Sequence, residues 1–123
     1  METIDRVKNK HAVYRDGAGV LFSAKTETDT RGALTNVNKA KELKPKIPSL
    51  RYRRAYTRAS DVDVVERYTT SHEMKIVVPI SAPVSVGDLL MQGNNLYRVY
   101  YTDSDQRNRE LYVFLETYRR LKR

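Results

Sequence analysis

The residues best suited to chemistry are cationic. Lys39, Lys41, Lys44, Lys46, Arg51, Arg53, Arg54 and Arg58 lie within one short stretch, opposed only by Glu42, with Tyr52 and Tyr56 interleaved. Lysine and arginine neutralise phosphates and tyrosine stacks on bases, so the pattern suits contact with nucleic acid. The same residues also suit a solvated strand and loop with inward tyrosines, or a surface that meets an acidic protein. Both readings stay open at this level.

Other constellations carry less. "DSDQRN", Asp103–Asn108, begins like a calcium loop, but Asn108 stands where such a loop needs glycine and Phe114 where it needs a bidentate Glu. A polar turn is expected there. His11 and His72 are far apart and neither has a second ligand at metal spacing. "GAG" at 17–19 is too short for a dinucleotide fingerprint and reads as a turn. Asp61 and Asp63, two apart, point to different faces of a helix, and capping explains them better than paired acid chemistry. No nucleophile elbow or phosphate loop is present. The sequence therefore predicts a non-enzymatic protein with no cofactor and no metal.

The elements that would position the cationic run are mostly strands. Thr3 can cap a first turn carrying Ile4 and Val7, and Ala12–Tyr14 reads as strand. "VLF" at 20–22 suits a short strand. Residues 23–50 are rich in Lys, Thr and Asn with little periodicity, and are expected as one long basic loop excursion. Leu50–Ala59 alternates Tyr52, Arg54 and Tyr56 with Arg53 and Ala55, as an extended segment does. "SDVDVVERY" predicts one short helix with Ser60 as N-cap and Val62, Val65 and Tyr68 on one face.

"EMKIVVPIS" predicts a strand with Met74, Ile76, Val78 and Ile80 on one face, and Pro79 at its end or on an edge. Gly87-Asp88 reads as a turn into "LLM", and Gly93-Asn94-Asn95 as a tight hairpin. The return strand would place Tyr97, Val99 and Tyr101 on one face. Leu111–Leu115 is apolar on both faces, which implies burial on both sides or a partner. Residues 119–123 read as a basic tail.

Together these predict a mainly β protein: one domain over 1–123, a small antiparallel β-barrel or sandwich with one short helix. The 123 residues suffice for one core, and the absence of cysteine excludes disulfides and thiolate metal sites. A net charge of +8 favours anionic partners. Neither a secretory h-region nor a membrane-length apolar run is present, so the expected place of assembly is a cytoplasm, with no membrane partner.

The second half, "HEMKIVVPISAPVSVGDLLMQGNNLYRVYYTDSDQRNRELYVFLE", resembles the head–tail joining proteins of tailed bacteriophages, also called head-closure, stopper or head–tail adaptor proteins. The residues that carry the resemblance are Val84 and Val86, Gly87-Asp88, Leu89-Leu90, Gly93-Asn94-Asn95, Tyr97 with Val99, and Leu111–Leu115 after an acidic loop. "RYRRAYTRASDVDVVERY" looks like the segment bearing that family's short helix. The resemblance implies a β-barrel joined as a homo-oligomeric ring, commonly of about twelve copies. Such a ring lies in the neck of the virion beneath the portal and adaptor, closes the channel after DNA packaging and docks the tail. It is assembled in the bacterial host cytoplasm. The family offers no catalytic residues. Lys39, Lys41, Lys44 and Lys46 would then belong to an assembly or DNA-channel loop. The alternatives are a free nucleic-acid-binding small barrel of OB or SH3 type, acting through Arg51, Arg53, Arg54 and Arg58, and a tail-terminator or minor connector protein.

Overall fold

In the computed structural model, residues 14–69 and 71–122 are described. The expected N-terminal helix or strand, and His11, lie outside them. Six strands follow in order: β1 Gly17–Phe22, β2 Ile47–Ala55, β3 His72–Pro79, β4 Leu89–Gln92, β5 Asn95–Asp105 and β6 Glu110–Arg120. They close into one barrel with the neighbour order β1-β2-β3-β6-β5-β4, every pair antiparallel. Closure leaves no unpaired sheet edge running the length of the fold.

The strands form where apolar residues alternate with a period of two. Leu21, Leu50, Tyr52, Met74, Ile76, Val78, Leu90, Tyr97, Val99, Val113 and Leu115 point inward and make the interior core, with Val84 added from the loop after β3. Pro79, with no N–H to give, ends β3 as its chemistry requires. Gly17 and Gly19 face this interior, where a Cβ would meet the Tyr52 ring and the Leu90 side chain. Gly93 and Asn94 form a two-residue hairpin between β4 and β5, and Gly93 supplies the positive φ of 60° that its first position demands.

Several expectations change. The return strand β5 carries a bulge at Tyr100, because Val99 pairs with Leu115 while Tyr101 pairs with Phe114. The extra residue turns Tyr101 to the outer face, away from Tyr97 and Val99. Residues 23–50 are not a loop. They hold helix α1 (Ala24–Asp29), a 3₁₀ turn (Ala33–Thr35), helix α2 (Val37–Ala40) and the start of β2 at Ile47. They fold because the outer faces of β1, β4 and β5 are themselves apolar. Phe22, Leu89, Met91 and Leu96 need a cover, and Leu34, Val37 and Ala40 provide it in a second core.

The expected basic tail is likewise part of the fold. β6 runs to Arg120, Leu121 is buried in the second core, and the Lys122 backbone pairs with Thr35 and Val37. The short helix, α3 (Val62–Tyr68), begins later than expected, after a 3₁₀ turn over Ala59–Asp61. Asp61, not Ser60, is the acceptor at its start, taking the Arg58 backbone N–H at 2.8 Å. Only Val64 and Val65 of its apolar residues are half-buried, while Val62 and Tyr68 stay exposed.

Candidate functional site

The cationic run does not form one surface. In β2, Arg54 pairs with the inward Ile76, so it lies on the interior-facing side of the strand, whereas Arg53 pairs with the outward Val77. Arg54 places a guanidinium nitrogen 3.5 Å from the Met74 sulfur, and its backbone N–H donates to Asp16 at 2.8 Å. Arg53 meets Glu110 at 3.1 Å, and the other oxygen of that carboxylate accepts from the Tyr14 hydroxyl. Burial and the Glu110 charge push the Tyr14 hydroxyl up to about 12. Arg51, Arg54 and Arg58 are exposed, Tyr52 is sealed in the interior core, and Tyr56 is 94% exposed. A strand whose arginines alternate between two faces cannot present them all to one phosphate backbone.

The lysines divide as well. Lys39, Lys41 and Lys44 are exposed and make no ion pair among the described residues. Lys46 instead reaches the buried Asp88, Nζ to Oδ2 at 2.7 Å. Asp88 also accepts the backbone N–H of Ser85 at 2.9 Å and of Ala24 at 3.3 Å. The Gly87-Asp88 step is thus a clamp. It ties both ends of the cover, Ala24 and Lys46, to the turn before β4. Gly87 has a φ of 95°, and a Cβ there would crowd Ala24. Asn94 and Asn95 serve the hairpin, with the Asn94 carbonyl accepting the Leu121 N–H at 2.6 Å. Tyr97 belongs to the interior core, where burial raises its hydroxyl.

A third assembly escaped the sequence reading. Lys75 stands on the outer face of β3 and is only 5% exposed. Its ammonium bonds Asp61 at 2.8 Å and lies 4.7 Å from the Tyr112 ring centre and 5.3 Å from that of Phe114. Burial acts to raise the Asp61 carboxyl, yet the Lys75 bond, the Arg58 N–H and both positive charges outweigh it and hold the carboxyl below the usual range. Tyr68 stacks on Tyr101 at 5.4 Å, and the Thr69 hydroxyl donates to Glu116 at 2.6 Å.

Beneath this, His72 Nδ1 is 2.7 Å from the Tyr100 hydroxyl and Nε2 is 3.3 Å from that of Thr57. Burial pushes the Tyr100 hydroxyl up to about 12 and lowers the His72 imidazole, the latter against the charges of Glu73 and Asp61. Of the two ring nitrogens of a neutral imidazole one donates and the other accepts, and the Tyr100 and Thr57 hydroxyls can serve either. One signal in the sequence marks the place: Lys75 is the single cation within the apolar run Met74–Val78.

β2 and β3 separate beyond the Ala55–Lys75 pair and open a cleft of about 750 Å³ lined by Arg54, Tyr56, His72, Glu73 and Lys75 among others. Its charged groups are mixed in sign. The carboxylate of Asp105 in the β5–β6 turn accepts from the backbone and side chain of Asn108, which hold it below its usual range. Among the described residues no three His, Asp or Glu side chains group closely enough to hold a metal ion, and no helix is long and apolar enough to cross a membrane. Lysines are exposed on one cover, and tyrosine, valine and carboxylates on the other. No family model matches the chain, and neither a curated protein nor a solved structure does.

Proposed function

We propose that the chain is a structural subunit of the head–tail connector of a tailed bacteriophage. In this reading copies join as a ring in the virion neck under the portal and adaptor. The ring closes the channel once DNA is packaged and offers the tail its docking surface. The subunits are made and assembled in the host cytoplasm. The observation that carries the reading is a closed barrel bearing two firmly attached covers of different surface chemistry. Such a body offers no open sheet edge for strand addition, which leaves its covers as the surfaces through which copies would join. Two unlike patches on one subunit are what a head-to-tail ring needs. The motif that suggested the family is Gly87-Asp88 followed by the Gly93 hairpin, and in this chain Asp88 fixes one cover to the barrel.

The division of the arginines between two faces weighs against the free nucleic-acid module. Light scattering of the pure protein, alone and with portal–adaptor complexes at moderate salt, tests the choice. Ring mass, or incorporation onto the connector, is expected. A monomer that ignores the connector yet retards DNA in a salt-dependent manner would overturn the reading in favour of the nucleic-acid barrel.

A further inference from the structure

Helix α3 is held rigidly but buries none of its residues. The buried Asp61–Lys75 ion pair, the Tyr68–Tyr101 stack and the Thr69–Glu116 bond fix it to the barrel. Yet Val62 is 44% exposed, Tyr68 51% and, just upstream, Tyr56 94%. Exposed aromatic and aliphatic side chains on a fixed frame are the composition of an interface core, presented with little ordering cost. Asp63 and Glu66 on the same helix are exposed and make no ion pair among the described residues.

The other cover has the opposite character. Around α2, Lys39, Lys41 and Lys44 are exposed, with Glu42 the only acid among them. Half-buried Leu43 and Pro45 lie between these lysines and give the patch apolar ground of its own. The segment is as firmly held as the helix, through Leu34, Val37 and Ala40 beneath it and Lys46–Asp88 at its end.

We infer that these two patches are partners between copies: the α3 face of one subunit, with Val62, Asp63 and Glu66, seats on the Lys39–Lys44 face of the next. The occupant is a second copy of this chain, because the α3 face carries Asp63 and Glu66 against one exposed cation, Arg67, while the other face carries Lys39, Lys41 and Lys44 against one acid, Glu42. The patches are distinct, so the contact is head-to-tail and each subunit keeps one of each free until the ring closes. The inference rests on the ring reading and gives it its contact surfaces.

Charge reversal with complementation tests it. Variant one is Asp63→Lys with Glu66→Lys. Variant two is Lys41→Glu with Lys44→Glu. All four positions are exposed, and circular dichroism checks that both variants remain folded. Each alone should associate about tenfold or more weakly than wild type in sedimentation. An equal mixture should regain association, because every contact in it is either wild-type or reversed on both sides. Carbodiimide coupling of mixed heavy- and light-isotope wild-type protein should join Asp63 or Glu66 of one copy to Lys39, Lys41 or Lys44 of another.

Two results overturn the inference while the ring reading stands. One is rings from either single variant. The other is a mixture that stays dissociated while wild type assembles. If wild type neither associates alone nor joins portal–adaptor complexes, and no coupling between copies appears, the ring reading falls and the contact falls with it.

Discussion

The two covers of this barrel are attached by opposite physics. The segment over residues 23–46 lies on apolar strand faces and buries Leu34 and Ala40 completely, with Val37 nearly so. The strap over residues 59–68 has no buried residue in either its 3₁₀ turn or α3, and depends on one buried ion pair, a ring stack and a hydroxyl bond. Burial is non-directional and scales with the apolar area removed from water, while a desolvated charge pair depends on both partners being present. The first cover is therefore part of the core. The second is a fixture laid upon it, with Val64 and Val65 half-buried and Val62 and Tyr68 exposed.

The sharpest way to break the comparison is to hollow out the first cover. Leu34→Ala removes a side chain with no exposed surface and should cost about 2–5 kcal/mol in urea unfolding. Hydrogen exchange should speed up over residues 33–43 and hardly change over 59–69. Next comes the strap. Asp61→Ala leaves the Lys75 ammonium buried and unpaired and should cost about 3 kcal/mol. The double variant Asp61→Ala, Lys75→Met removes both charges, and the Met side chain can still fill the space against Tyr112 and Phe114. It should recover most of that loss, which an additive pair of truncations would not. Equal losses in the single and double variants would mean that shape, not charge, holds the strap.

A smaller effect is expected at the clamp between cover and barrel. Asp88→Ala leaves the Ser85 and Ala24 N–H groups and Lys46 without their acceptor and should cost about 2 kcal/mol. The Lys46 side chain is a quarter exposed and can turn to solvent, which limits the loss. Exchange should rise first at Ala24 and Lys46, the two ends, while Leu34 stays protected by its apolar contacts.

The barrel itself was legible because its strands carry period-two alternation. Met74, Ile76 and Val78 point inward as their spacing says, and Gly93 marks its hairpin by needing positive φ. The face of Tyr101 was not legible, since nothing in "LYRVYY" distinguishes a bulged strand from a regular one. Residues 23–46 looked shapeless because their apolar positions, Leu34, Val37 and Ala40, are sparse and match no long helix. Their partners are the outer-face residues Phe22, Leu89, Met91 and Leu96, distant in sequence. An apolar outer face on three strands is the clue that a cover was required. The cationic run misled because a short distance in sequence is not a shared face: Lys46, Arg53 and Arg54 leave it for Asp88, Glu110 and the interior side of β2.

The mildest probe of the comparison is acid. His72 faces Tyr100, Thr57 and Phe114 and feels the charges of Glu73 and Asp61. Burial lowers its imidazole below the ordinary 6.5 in the folded state. The unfolded chain therefore binds the proton first. Stability from the neutral imidazole is complete above the ordinary value and is lost as pH falls through the lowered folded value. The Asp61 carboxyl, held below its usual 3.8, adds a second loss as pH falls below that value. The seal of the other cover, Leu34, Val37 and Ala40, holds no titrating group. Mild acid should thus raise exchange over residues 59–69 before it touches 33–43. His72→Gln should erase the first step and leave the second. If both covers loosen together as pH falls, the strap is not a separate, charge-held fixture, and the barrel opens as one cooperative unit.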